Sequence, residues 1–216
     1  ILILSASKQA LLFLGIPLMI LFVFDRKIYL KKQVFRCVIL LAAGLGSWYL
    51  MMHIPLLYEL IGRRVEGLFA ALTGNAAKVD GSSQSRLLLI TWGLDWFQER
   101  PLLGYGIDCY RVVLTKNYPL WPIEYYAHNN YVELLVDTGI VGTVLYYRSY
   151  ADIAARGWRN RKSFSNQELL IFGMFIALII CEVAKVSYFD KYVQVLILII
   201  WVYMSEFDQI KRMQKK

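Results

Sequence analysis

The sequence is poor in the residues that build disulfide frameworks and metal centres. Its 216 residues include three cysteines and two histidines. Cys37, Cys109 and Cys181 are far apart and form no CxxC pair, which argues against both a disulfide framework and a cysteine metal site. His53 and His128 form no HxxxH or HExxH pattern, so the sequence predicts neither a bound metal ion nor a cofactor.

Charged residues are nearly absent from several long apolar runs. Hydrophobic residues make up 58% of the chain, which indicates an integral membrane protein. The formal net charge is +8, but the basic residues cluster beside the apolar runs, as membrane topology requires, so we expect no nucleic-acid partner. Because the chain begins inside an apolar run, we expect further spans upstream of Ile1.

Five apolar segments are predicted to cross the bilayer as helices, each needing roughly 20 residues. They run from Ile1 to Phe24, from Cys37 to Leu57, from about Asn130 to Tyr147, from Leu169 to Ala184, and from about Phe189 to Phe207. The basic segments DRKIYLKKQVFR, RSYADIAARGWRNRK and IKRMQKK should face the cytoplasm, which places residues 58–127 outside. The predicted fold class is therefore all-α, a polytopic transmembrane helical bundle. Its single membrane domain comprises two helices (1–57), an extracytoplasmic helical loop (58–127), and three helices with a basic tail (128–216).

The outer segment is too long for an ordinary connection, and such loops are usually functional or disordered. Its seven Lys or Arg balance seven Asp or Glu. It contains an amphipathic segment, LLYELIGRRVEGLFAALTG, then a polar hinge, NAAKVDGSSQ, and a second predicted helix, SRLLLITWGLDWFQER, closed by Pro101. Gly104 and Gly106 are predicted to form a tight turn. The aromatic residues around them fit either a belt at the membrane interface or a glycan groove.

The stretch AHNNYVELLVDTGIVG combines an apolar helix pattern with polar residues that a membrane span rarely keeps. His128 is predicted at or just before the helix N-terminus, where the helix dipole disfavours the imidazolium and leaves a ring able to accept a proton. Gly139 falls on the same helix face and permits close helix packing. Asn129, Glu133 and Asp137 share another stripe. A capping or interfacial role for His128, and structural pairing of the two acids, are the alternatives.

Two cations are candidates for anion binding. Arg86 is predicted in the first turn of a helix capped by Ser82 or Ser83, where free N–H groups and a guanidinium together suit a phosphate. The alternative is an exposed Arg86 paired with a nearby acid. Lys8 is the only charged residue of the first span and either reaches the lipid headgroups or faces the same anion.

Taken together, these segments resemble the C-terminal half of the O-antigen ligase and O-antigen polymerase superfamily. The resemblance rests on SASK in a span, SRLLLITWGLDWFQERPLLGYGIDCY in a long outer loop, AHNNYVELLVDTGIVG entering the next span, and a closing pair of spans. It implies a GT-C-like glycosyltransferase in a bacterial inner or plasma membrane, with its active site outside. Such enzymes move a glycan from undecaprenyl diphosphate to an acceptor sugar hydroxyl on a glycan or glycolipid, with inversion and without a metal ion.

The resemblance also implies roles for particular residues. It gives acceptor binding or deprotonation to His128 and the diphosphate to Arg86 and Lys8, although Lys8 stands where relatives often have arginine and lacks its bidentate fork. Glycan or motif support is expected from five further residues, namely Asn129, Glu133, Gly139, Gly104 and Gly106. We favour a polymerase, because nothing in this half indicates a lipid A acceptor. The alternatives are a transporter or flippase component, for which the sequence shows no inverted repeat or interrupted span, and an inactive scaffold or sensor.

Overall fold

The computed structural model describes residues 8–25, 29–55, 58–59, 81–119 and 126–214. Seven α-helices and no strand occur among these residues, so the all-α prediction is confirmed for them. The helices are α1 (Lys8–Phe24), α2 (Leu30–His53), α3 (Gly81–Glu99), α4 (Tyr110–Asn117), α5 (Asn130–Asn160), α6 (Asn166–Cys181) and α7 (Lys191–Met213). A short 3-10 helix, Arg161–Ser163, joins α5 to α6.

Each predicted span coincides with a helix of the described chain: α1, α2, α5, α6 and α7. Helices α2 and α7 are long and apolar enough to cross a membrane, and shorter apolar helices lie at Phe13–Phe24 and Asn166–Cys181. The complete bundle and the side of the membrane that each loop faces remain predictions. The predicted second loop helix is confirmed as α3, which ends at Glu99, just before Pro101. Most of the amphipathic segment and the polar hinge lies outside the described residues.

Local capping chemistry sets the start of the last three helices. The Asn129 side chain accepts hydrogen bonds from the backbone N–H groups at the start of α5, and Asp190 does the same for α7. At α6 the Ser165 side chain accepts from the backbone, while Glu168 accepts from the backbone N–H of Ser165 at 2.7 Å. Each cap satisfies N–H groups that a helix leaves unpaired at its first turn.

The contacts divide the chain into two compact units, residues 28–92 and residues 1–27 with 93–216. In the larger unit, α1 packs against α6 and α5 packs against α7. Gly173 permits the first contact, since a Cβ there would lie 2.8 Å from the Cα of Pro17. A buried apolar core includes Tyr150 and Ile153 of α5 and Phe175 of α6. In the smaller unit, none of the described side chains of α2 is buried.

Candidate active site

The turn before α5 holds His128 in an uncommon backbone conformation. Its φ is 53°, in the left-handed region that costs a residue with a side chain about 1–2 kcal/mol. The imidazole is half-buried, and its ring centroid lies 4.1 Å from that of Tyr126. The predicted place of His128, just before the helix, is confirmed. The cap is Asn129, whose Oδ1 accepts from the N–H groups of Tyr131 at 3.0 Å and Val132 at 3.1 Å.

Glu133 ties the turn that carries His128 to the first turn of α5. Its side chain is buried, with 1% of the residue exposed, and Oε2 accepts a hydrogen bond from the backbone N–H of Ala127. The other carboxylate oxygen, Oε1, is also buried and has no hydrogen-bond partner in the described part of the protein. Glu133 therefore uses one oxygen to fix the residue before His128 and has the second available for another donor.

Asp137, one turn further along α5, organises the loop before α4. It accepts hydrogen bonds from the backbone N–H of Tyr110 at 2.7 Å and of Asp108 at 3.1 Å. The hydroxyl of Tyr188 donates a third, at 2.7 Å. Burial, followed by the hydrogen bond and charge of Asp137, raises the pKa of Tyr188, so that this hydroxyl keeps its proton and remains a donor.

Helix α5 is interrupted at Gly139, where φ is 61° and ψ is −169°. The backbone groups released by the break bind the loop after α3. The N–H groups of Tyr105 and Gly106 donate to the carbonyls of Val136 (2.9 Å) and Asp137 (2.8 Å), and the N–H groups of Ile140 and Val141 donate to those of Pro101 (2.8 Å) and Leu102 (3.2 Å).

These four hydrogen bonds between the break in α5 and the loop from Pro101 to Gly106, called the interlock below, correct two interpretations of the sequence. Gly139 breaks the helix and approaches a loop, whereas the helix pattern predicts a small residue inside a continuous span. The sequence also shows no interrupted span, whereas α5 is interrupted at Gly139. The predicted turn at Gly104 and Gly106 is confirmed, with φ of 66° and 120°. A Cβ on Gly104 would lie 2.5 Å from the carbonyl oxygen of Val136.

A cavity of about 330 Å³ lies beside Glu133. Its wall combines charged groups with aromatic rings: Arg111, Asp108 and Glu133 with Tyr126, Tyr188 and Phe189. Arg111 and Asp108 form an ion pair. A neighbouring concavity of about 500 Å³ shares these two residues. The first cavity has a volume within the roughly 300–1,000 Å³ typical of small-molecule sites, and through Tyr126 it adjoins His128.

A buried hydrogen-bond network supports the site from the α6–α7 connection. Asn130 donates its backbone N–H to the carbonyl of Glu182 at 2.9 Å and accepts from the N–H groups of Ser187 (2.8 Å) and Tyr188 (2.9 Å). The Glu182 carboxylate accepts from the hydroxyls of Tyr147 and Tyr150, at 2.9 and 2.8 Å, and of Ser187. The start of α5 is thereby fixed to a segment far away in sequence.

The structure describes each of the two predicted anion-binding residues only within its own helix. Arg86 has an exposed side chain in the second turn of α3, because that helix begins at Gly81 and includes Ser82 and Ser83, which were predicted to cap it. It belongs to the unit of residues 28–92, whereas His128 belongs to the other unit. Lys8 is the first residue of α1, and its side chain lies outside the described residues. A shared phosphate site with His128 remains a prediction.

A comparison with protein families decides what kind of protein carries this geometry. A family model described as O-antigen ligase matches residues 1–147, more than half of the chain. The chain belongs to the O-antigen ligase family. As a member of that family, it is a bacterial membrane protein with a glycosyltransferase activity like that of O-antigen ligases and polymerases, and its partners are a lipid-linked glycan and an acceptor. No curated protein and no solved structure matches the chain.

The structure of this family member also brings forward residues that the sequence does not single out. Arg111, Tyr126 and Tyr188 line the cavity beside Glu133. The spacing of Asp108 and Arg111, three residues apart at the start of α4, is a signal for their ion pair. No local pattern predicts the contact of Tyr188 with Asp137, because the two are 51 residues apart in the chain.

Proposed function

We propose that this protein transfers a glycan from undecaprenyl diphosphate to a sugar hydroxyl on the outer face of the membrane, as a polymerase in preference to a ligase. Family membership supports the class of reaction. The observation that carries the mechanism is the position of His128, half-buried in a left-handed turn and in contact with Tyr126, which lines a cavity of aromatic and charged side chains.

In the proposed step the acceptor oxygen attacks the anomeric carbon of the donor sugar, opposite to the diphosphate. The bond from that carbon to the phosphate oxygen breaks, and undecaprenyl diphosphate leaves. The acceptor proton passes to His128, acting as a neutral imidazole base. A single displacement of this kind inverts the anomeric configuration. Arg86 and Lys8 stabilise the charge that develops on the diphosphate, a task that a metal ion performs in other transferases.

The role of His128 is tested by His128→Ala in the full-length protein. General-base catalysis contributes about 10²–10⁴-fold, so glycan transfer from a radiolabelled undecaprenyl-diphosphate donor should fall by at least about 100-fold while the protein level stays normal. The chain provides a matched control in His53, its only other histidine, which is exposed and contacts Tyr49. His53→Ala should keep wild-type activity. A normal chain-length distribution in His128→Ala would refute the proposed base.

The role of Arg86 is tested by Arg86→Ala. Loss of one charge-assisted contact to the diphosphate should raise the KM for the donor about tenfold or more, with the acceptor KM unchanged. Arg161 serves as the control, because it is also exposed and its guanidinium stacks on Trp158. Unchanged donor kinetics in Arg86→Ala would return this residue to a structural role.

The break at Gly139 favours one alternative, a transporter or flippase component, since transporters use interrupted helices to bind substrates. In this protein the loop from Pro101 to Gly106 already occupies four of the released backbone groups. Reconstituted vesicles separate the two functions. A transferase consumes the labelled lipid-linked donor and lengthens the acceptor, whereas a flippase moves the intact donor across the bilayer without forming product.

A further inference from the structure

We infer that the cavity beside Glu133 is a subsite for one sugar ring, in which a sugar hydroxyl donates a hydrogen bond to Glu133 Oε1. The inference rests on the proposed function and assigns this subsite to the acceptor. Its boundary is formed by Glu133, Arg111, Asp108 and Tyr126.

The first step of the argument is the unsatisfied oxygen. Glu133 is almost fully buried, and Oε1 has no partner within the described residues although it is a strong acceptor. Leaving a buried polar atom without a hydrogen bond is costly, so the site gains when a ligand supplies a donor. Asp137, by contrast, is equally buried and is bound by three donors of the protein itself.

The second step is the chemistry of the wall. Glu133 and Asp108 provide acceptors, and the guanidinium of Arg111 provides donors; together they match the hydroxyl groups of a sugar, each of which donates and accepts. The rest of the wall is apolar and suits the C–H faces of a sugar; it is formed by Ile107, Phe189 and the rings of Tyr126 and Tyr188. An apolar acyl or isoprenoid chain would leave Oε1 unsatisfied and would bury the Arg111–Asp108 pair against hydrocarbon.

The third step assigns the ring to the acceptor. The carboxylate of Glu133 fixes the residue before His128 through Oε2, while Oε1 is buried without a partner among the described residues. Glu133 therefore fixes the position of the turn that carries His128 and, in this proposal, the position of the sugar beside it. This arrangement suits a hydroxyl that must lie within reach of the base.

The test measures sugar binding separately from transfer. Full-length protein in detergent is titrated with methyl glycosides of glucose, galactose, rhamnose and N-acetylglucosamine by saturation-transfer difference NMR. The measurement uses the wild type, His128→Ala and the double variant His128→Ala with Glu133→Gln. Glutamine keeps a carbonyl oxygen for the N–H of Ala127 but presents an amide N–H₂ in place of the acceptor. The control is Glu206→Gln, an exposed acid of α7.

We expect at least one glycoside to bind the wild type and His128→Ala, with Glu133→Gln weakening binding to His128→Ala about tenfold or more and Glu206→Gln leaving binding to the wild type unchanged. Equal binding with and without Glu133→Gln, or no binding of any glycoside to the wild type, would overturn the subsite. Should Glu133→Gln fail to fold, Arg111→Gln decides: several-fold weaker binding supports the subsite, and unchanged binding refutes it.

The same data separate this inference from the proposed reaction. If glycoside binding depends on Glu133 but the protein transfers no glycan, the subsite is supported and the proposed transferase function is refuted. If Glu133→Gln transfers glycan normally with an unchanged acceptor KM, the subsite is refuted and the proposed transferase function is supported.

Discussion

The interlock between the break in α5 and the loop after α3 can be tested by giving Gly139 a side chain. Its backbone conformation, φ 61° and ψ −169°, is essentially restricted to glycine. A Cβ at this position would lie 2.4 Å from both the carbonyl carbon and the carbonyl oxygen of Leu102. Backbone atoms cannot rotate away as a flexible side chain does, so in Gly139→Ala the loop or the helix must move.

The cost of that movement has two parts. Holding alanine in this conformation costs about 1–3 kcal/mol. Displacing the loop also weakens the four backbone hydrogen bonds that join it to the break, each worth about 1 kcal/mol net. We therefore expect Gly139→Ala to destabilise the fold by about 5 kcal/mol, which corresponds to a fall in Tm of about 10–20 °C for a chain of this size.

The assay is thermal unfolding of the purified protein in detergent, followed by intrinsic tryptophan fluorescence and by loss of the monodisperse peak. Gly46→Ala in α2 is the matched control, because a Cβ there would meet no atom within 4 Å. Alanine is a better helix former than glycine by about 1 kcal/mol, so this variant should melt at or slightly above the wild-type temperature. If Gly139→Ala had the same Tm as Gly46→Ala, the hydrogen bonds between the loop and α5 would not be formed in solution.

Three further predictions concern the buried polar groups. Asp137→Ala removes the acceptor of two backbone N–H groups and one hydroxyl and should cost about 3–5 kcal/mol, measured as a lower Tm, with exposed Glu206→Ala as the reference. Glu182→Ala leaves three buried hydroxyls without their acceptor and should destabilise the protein by a similar amount; a wild-type Tm would show that the network is not closed. Burial above all raises the pKa of Tyr188 in the folded protein above its value in the unfolded chain. The protonated hydroxyl therefore contributes fully to stability below about pH 10, and this contribution is lost as the pH rises through the folded pKa. Tyr188→Phe should therefore lessen the alkaline fall in Tm, and an unchanged pH profile would contradict this account.

Those parts of the structure that depend on local sequence could be predicted. Apolar runs identify the helices, and Pro101 marks the end of α3 correctly, whereas Ser82 and Ser83 lie inside α3 and do not cap it. The position of His128 just before α5 follows from the same reasoning, since Asn129 is a good cap and the apolar pattern begins directly after it.

The break at Gly139 could not be predicted in this way. Small residues within an apolar helix pattern fit close helix packing as well as they fit an interruption. What decides between them is the loop around Gly104, which lies far earlier in the chain and reaches α5 only in the folded protein. The two acids of α5 are a similar case. Structural pairing of these acids is one of the alternatives that the sequence leaves open, and in the described structure they bind backbone N–H groups and a tyrosine hydroxyl.

The interlock consists of hydrogen bonds between backbone groups, so only some residues of the loop and helix are essential to it. Gly104 and Gly139 are required, because a Cβ on either would collide with main-chain atoms. Leu102 and Leu103 lie in the same loop, but their side chains are 65% and 73% exposed and take no part in its hydrogen bonds to α5. Substitutions at these two leucines should therefore leave the loop in place. Since the loop leads directly into α4, the position of Arg111 at the cavity should also be preserved.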